Sequence, residues 1–395
     1  MRAMSSLRIH RYLLRETLVP MFLGLAVFTL VLLMGRILKL VEMVINKGVP
    51  FMDILILFAS LLPSLLVLTL PLSFLLGVMA GLGRMSSDQE VLALKASGTS
   101  LYQITVPVAF LGLGVGIITA FLTMMIKPAS EDLFHKQVFQ IASSRANIGI
   151  QPQLFNDEYN NVVLYANEVD ERSGQMRGVF ISDERPNSLP AIILADSGRI
   201  LSNQDTLTLT LHLENGTVHR QRSGPTSAFH VISFAQYDLN LNLGQTSMEA
   251  DLPRKNKKTM SIAELYRAIY GPDMSAGPKT NELIAEFHWR LALPFAPLLF
   301  ALLGVPLGIQ PVRSGRGSGF AIGLLIFLAY YMLLSASGTL VVEGDMPGLL
   351  MWVPNLIFLL AGTIILKAAA MEKPLPLSGL FHKLTDKLLC LLRKQ

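Results

Sequence analysis

Three groups of residues have the types and spacing to do chemistry. The first is the segment Arg84-Met-Ser-Ser-Asp-Gln-Glu-Val-Leu-Ala-Leu-Lys-Ala-Ser-Gly-Thr-Ser100. Ser87 stands three residues before Glu90, the spacing of a capping box, which predicts a short helix over about 86–97. Val91, Leu92 and Leu94 give that helix an apolar side, and Gly98 can end it. Such a helix either lies on a bilayer or docks into a partner. The second group is Arg36 and Lys39, three apart and so on one helix face. They either snorkel to an interface, with Lys39 paired to Glu42, or hold an anionic headgroup such as a phosphorylated lipid. The third is His212, His219 and His230, which read as exposed strand histidines, because neither cysteines nor ligand spacing support a metal site.

The usual catalytic signatures are missing from the 395 residues. There is no G-x-x-x-x-G-K-[ST], no H-E-x-x-H and no G-x-S-x-G. Gly315-Arg-Gly-Ser-Gly319 joins two apolar stretches without a preceding strand, so it reads as a flexible turn. The single cysteine, Cys390, rules out an intrachain disulfide. An autonomous enzyme is disfavoured.

The elements that must carry these residues are set by composition. Apolar side chains make up 51% and charged ones 15%, against about 25% charged in a soluble domain. Six stretches are long enough to cross a hydrocarbon core of ~30 Å as helices: Leu18–Gly35, Ile54–Gly83, Ile104–Ile126, Leu291–Ile309, Phe320–Leu340 and Leu349–Ala368. The first five hold no Asp, Glu, Lys or Arg, and the sixth has only Lys367 at its end. Without an intramembrane acid relay, an ion-driven carrier is disfavoured too. Arg2, Arg8, Arg11 and Arg15 before the first stretch mimic a signal peptide, but the apolar run is too long and lacks an A-x-A site, so it reads as an uncleaved span.

Short-loop cations set the orientation. The N-tail, loop 84–103, loop 310–319 and the C-tail carry thirteen Lys and Arg, whereas loops 42–53 and 341–348 hold only Lys47. Both termini are therefore expected in the cytoplasm, with residues 127–290 outside. Phe381, Leu384, Leu388 and Leu391 among C-tail cations predict a basic interfacial helix within 369–395.

Residues 127–290 change period. Thr206–Leu213 and Tyr237–Leu243 alternate strictly, as half-buried strands do. Asn215-Gly216 between them predicts a type I′ hairpin. With Asn161–Val169, Arg177–Asp183, Ala191–Ala195 and Phe229–Ala235, about eight short strands are expected, as a sandwich, a jelly roll or a partly open barrel. Ser261 and Glu264 form a second capping-box pattern. The expected fold is thus an α-helical membrane protein with six transmembrane helices (3 + 3) and an inserted all-β domain. Its parts are helices one to three over 1–126, the β-domain with helical extensions over 127–290, helices four to six over 291–368, and the tail.

This plan, loop 84–103, and Glu286-Phe-His-Trp-Arg-Leu-Ala-Leu-Pro294 followed by Gly304-Val-Pro-Leu-Gly308 resemble the LptF/LptG family over nearly the whole chain. The fourth-span region looks more like the LptF branch. The resemblance implies an ABC transporter permease of the bacterial inner membrane, serving lipopolysaccharide transport and outer membrane biogenesis. It implies an LptG-like permease partner and an LptB-like ATPase dimer, so that this chain binds no cofactor directly and the ATP and Mg are used by the ATPase. It implies that the helix near 86–97 is the coupling helix, with Ser87, Asp88, Glu90, Val91 and Leu94 as ATPase-coupling residues. It implies that the outer segment is a periplasmic β-jelly roll handing lipid to LptC-like and LptA-like proteins, and that Arg36 and Lys39 lie where the family binds lipid phosphates. No nucleic-acid partner is expected. Lipoprotein-release and MacB-type permeases place one span before the outer domain, whereas this chain has three. A non-transporting scaffold or sensor with a periplasmic β-domain is the reading from another class.

Overall fold

The computed structural model describes residues 2–47, 50–146, 152–159, 161–170, 175–185, 190–203, 208–221, 229–241, 257–271, 278–309, 318–344 and 346–372. Helices α1 (Arg2–Lys47), α2 (Phe51–Ser87), α3 (Glu90–Ala96) and α4 (Leu101–Phe121) come first. A π-helical turn, Leu122–Ile126, leads into α5 (Lys127–Ala146). Strands β1 (Phe155–Tyr159), β2 (Val162–Val169), β3 (Gln175–Asp183), β4 (Ala191–Asn203), β5 (Thr208–Gln221) and β6 (Phe229–Leu241) follow. The chain continues with α6 (Ile262–Tyr270), α7 (Pro278–Ala292), α8 (Ala296–Ile309), α9 (Ser318–Glu343) and α10 (Val353–Ala370).

Among the described residues, six helices are long and apolar enough to cross a membrane: Arg8–Arg36, Met52–Ser87, Leu101–Ile141, Thr280–Ile309, Gly319–Glu343 and Gly348–Ala370. Each contains one of the stretches read from the sequence. The chain is a helical membrane protein carrying an inserted antiparallel sheet. It divides into two compact units, one built from 1–48, 58–131 and 256–395, the other from 49–57 and 132–255.

In the first unit, small residues let helices meet closely. A Cβ on Gly77 would lie 2.7 Å from that of Met21, and one on Gly81 would run into the Glu16 carbonyl oxygen. Gly77 and Gly81 are four apart, the small-xxx-small spacing that brings helix backbones together where lipid gives no hydrophobic drive. Gly81→Leu should push α1 off α2 and cost about 1–3 kcal/mol, measured as a lower thermal midpoint in detergent. An unchanged midpoint would contradict this packing.

The fourth span is broken by a 3₁₀ turn, Leu293–Phe295, with Pro294 in it. Ala296 N–H turns to the Leu293 carbonyl. The Ala292 carbonyl is taken instead by Asn355 Nδ2 at 2.9 Å, and Tyr330 Oη donates to Asn355 Oδ1 at 2.8 Å. This polar triad satisfies a backbone group that a span cannot leave bare.

In the second unit the strands form one antiparallel sheet in the order β1-β2-β3-β4-β5-β6. Among the described residues there are six strands rather than about eight, and Phe229–Ala235 runs on through Tyr237 to Leu241 as one strand, β6. The Asn215-Gly216 hairpin is also corrected: both residues lie inside β5, and Asn215 has φ 51°. The reason is visible across the sheet. Ala195 pairs with Gly216 and Ser197 with Glu214, so the register does not change. The buried side does change phase: Leu209, Leu211 and Leu213 point inward, then Val218. The same slip separates Ala195 from Ile200 on β4 and Met176 from Val179 on β3, where Gly178 has φ 61°. The slips fall on one transverse row, Asn167, Gly178, Asp196 and Asn215. Left-handed residues there turn the pleat over, so both halves of each strand keep their apolar side on one core with Leu164, Ile181 and Phe139. An open pocket of about 470 Å³ follows the row, lined by Tyr165, Phe180, Leu194 and Asp196 among others.

Candidate functional site

The helix expected near 86–97 is present but shorter and starts differently. α2 runs on to Ser87, whose hydroxyl donates back to the Gly83 carbonyl at 3.0 Å. Gln89 sits at φ 60° and precedes α3 without a side-chain cap. Glu90 is therefore the first residue of α3, not its third, and the Ser87–Glu90 capping box does not form. The competing partner is local: within a helix, a serine hydroxyl readily bonds the carbonyl four residues back. The capping box forms ten residues after Glu90, between Ser100 and Gln103 at the start of α4, at 3.3 and 3.0 Å. The end of α3 matches the expectation. Gly98 has φ 88°, its N–H reaches the Lys95 carbonyl, and Thr99 N–H reaches that of Leu94 at 3.1 Å. That pair of bonds is a Schellman closure. The Ser261–Glu264 box also forms, at 2.8 and 3.2 Å.

α3 is fastened to its own chain on one side. Val91 is buried and Leu94 packs partly buried against the helical core. Glu90 Oε2 accepts from Tyr12 Oη at 2.7 Å. Arg84 pairs with Glu16 at 2.5 Å, and Lys95 meets Glu372 at 3.7 Å. Ser86 Oγ donates to the Ile309 carbonyl at 2.5 Å. On the other side Leu92 is 62% exposed, and Ser87 and Asp88 are exposed. The structure thus gives the five candidate residues two positions. Val91 and Leu94 are anchors turned into this chain, whereas Ser87, Asp88 and the half-buried Glu90 border an outer face that Leu92 completes. Tyr12 and Glu16 carry no local motif; their one signal is a spacing of four in a cationic tail.

Arg36 is exposed on α1. It follows an exposed apolar stripe of Val19, Leu23, Leu30, Val31 and Met34 at helical spacing. Lys39 lies three residues on in the same helix, with its side chain, like that of Glu42, outside the described residues. The basic tail and most of the Gly315 turn lie outside them too. Of the histidines, His212 Nδ1 lies 2.5 Å from Asp238 and His219 Nε2 lies 3.0 Å from Thr217 Oγ1. Among the described residues no group of three His, Cys, Asp or Glu could hold a metal ion.

A cluster not singled out as a site surrounds Glu286. Arg290, fully buried, donates from Nε to Glu286 at 2.8 Å. Lys127 approaches Glu286 at 3.5 Å and stands 4.2 Å over the Trp289 ring. The spacing of Glu286 and Arg290 was visible, but not that Lys127 and a returning loop complete the cluster.

A family model described as lipopolysaccharide export system permease LptF/LptG matches residues 11–368. The chain is 25% identical over 362 residues to the lipopolysaccharide export system permease protein LptF of Escherichia coli (strain K12), covering 90% of this chain and 93% of that protein. The LptF protein of Shigella flexneri is similar to the same extent. An uncharacterized protein of Rickettsia prowazekii (strain Madrid E), RP871, is 22% identical over 290 residues, 72% of this chain and 77% of that protein.

Proposed function

The chain belongs to the LptF/LptG family of lipopolysaccharide export permeases, and from that premise we propose that it is the LptF-like, non-catalytic subunit of an inner-membrane ABC transporter. An LptG-like chain completes the permease, and an LptB-like ATPase dimer supplies the hydrolysis. The observation that carries this reading is α3, a short helix between the second and third spans that is anchored on one face and open on the other. A helix held in that way can pass a push from an ATPase into the spans as rigid-body rocking. Glu90, Asp88 and Ser87 border the docking face, and Val91 and Leu94 hold it in place. Both termini and α3 lie in the cytoplasm, and the β-domain lies in the periplasm.

Lipopolysaccharide carries phosphates and several acyl chains, and enters from the outer leaflet. The exposed apolar stripe of α1 offers a wall for acyl chains. Arg36, with Lys39, holds a phosphate by charge-assisted hydrogen bonds. When the ATPase closes, the cavity collapses and the lipid passes to the β-domain, whose apolar side shields the chains on the way to LptC-like and LptA-like partners. Arg36→Glu should reduce lipid export about tenfold or more, since one charge-assisted contact becomes a repulsion, while the ATPase still co-purifies. Normal export would remove Arg36 from the lipid path.

The deciding experiment is affinity purification of this chain from native membranes, with mass spectrometry of proteins and lipids. The expected result is an ATPase, an LptG-like chain and lipopolysaccharide. A chain recovered without ATPase and without glycolipid would overturn the exporter reading.

A further inference from the structure

Tyr12 belongs to none of the roles above, yet its hydroxyl donates to Glu90 at 2.7 Å across 78 positions of sequence. It is not an isolated contact. One turn further along α1, Glu16 holds Arg84 at 2.5 Å. Thr17 beside it is fully buried, and the α1 backbone here lies directly against Gly81. Another turn on, Met21 faces Gly77, and Thr29 and Thr69 share a hydrogen bond of 3.1 Å. α1 is thus seated on α2 along a continuous seam, and Tyr12 extends that seam onto α3. The face of α1 turned away from the buried Leu13, Thr17 and Met21 presents the apolar stripe that precedes Arg36.

We propose that Tyr12 is a positioning residue for energy coupling: its hydroxyl fixes the Glu90 carboxylate at the docking face and ties α3 to α1, so that displacement of α3 reaches the span that ends in Arg36. This inference rests on the docking reading of Glu90. A phenol donating to an ionised carboxylate forms a short, directional bond. A carboxylate has acceptor sites for more than one donor, so the tie leaves capacity for a cation of the ATPase. The tie also limits the rotamers of Glu90, which a docking contact would otherwise have to order itself.

The test uses the whole transporter in proteoliposomes loaded with lipopolysaccharide, reading both ATP hydrolysed and lipid released. Tyr12→Phe keeps the ring and removes the donor. Lipid released per ATP should fall about fivefold, the scale of one ordinary intramolecular hydrogen bond. Adding Tyr12→Phe to Glu90→Ala should then change that ratio little, because alanine already leaves Tyr12 without its acceptor. A purely structural role would instead reduce the amount of assembled transporter and leave the ratio intact, and that result overturns the proposal. A normal ratio for Tyr12→Phe beside an inactive Glu90→Lys overturns the tie and keeps the docking reading. Normal export by both variants overturns both.

Discussion

Glu90→Lys is expected to abolish lipid export in a chain that still folds. The folded-state cost is small. Glu90 occupies the first turn of α3, where an acid favours the helix dipole and a lysine opposes it, for a change of about 1 kcal/mol. Arg84 keeps its own partner Glu16. The anchors Val91 and Leu94 are untouched, and the Gly98 closure still ends the helix. Against a folding stability of order 5–15 kcal/mol, this is minor. At a docked interface the same change is large. Replacing one member of a desolvated charge pair leaves the other buried and unpaired, at about 2–5 kcal/mol. Coupling should then weaken roughly thirtyfold to several thousandfold by the usual conversion. The measurement is recovery of the ATPase with the chain, together with lipid release. Glu90→Gln, which keeps an acceptor for Tyr12, should fall between. If Glu90→Lys recovers the ATPase and exports normally, α3 is not the coupling element.

The contrast between span and site shows what one-dimensional patterns can carry. The six spans were legible because the hydrocarbon core penalises every charge in a stretch of about 20 residues, so a single property decides each. The stretches of β2 and β3 on one side of the slip in the sheet were legible for the same reason, since one alternating face is buried there. Failures occurred where two local chemistries compete and distant contacts choose. Ser87 and Glu90 have capping spacing, yet Ser87 stays within α2 and bonds Gly83, while Ser100 and Gln103 form the box. Asn215-Gly216 has the left-handed preference of a hairpin turn. The chain uses that preference inside β5, where Gly178 on β3 makes the same adjustment. No window of sequence contains both residues. Tyr12 and Glu90 likewise meet only because Gly77 and Gly81 let α1 settle on α2.

Arg290→Met should be the most destabilising single substitution in the helical unit. The side chain is fully buried, and each of its nitrogens is engaged. Nε donates to Glu286 at 2.8 Å, Nη1 to the Met260 carbonyl at 2.6 Å, and Nη2 to those of Lys257 and Lys258 at 2.9 and 3.1 Å. The guanidinium therefore closes the loop before α6 onto α7, one turn before the 3₁₀ break in the fourth span. Methionine fills much of the volume but takes every donor away. Three carbonyls are left without this partner, and Glu286 keeps only Lys127 at 3.5 Å among the contacts described. Breaking a buried charge network in this way costs about 3–5 kcal/mol. Lysine would not rescue it, because a point charge on a flexible stem cannot reproduce a planar fork that bonds a carboxylate and three carbonyls together. The expected readout is a large drop in the thermal midpoint of the detergent-solubilised chain, with Arg290→Lys close to Arg290→Met. Lys127→Met and Glu286→Leu combined with Arg290→Met should recover part of the loss, since an apolar trio leaves no unpaired charge. The recovery separates the charge network from volume. If the triple variant is as unstable as the single one, the carbonyl contacts alone carry the effect. If Arg290→Met is as stable as the parent chain, the clamp does not hold the loop at all.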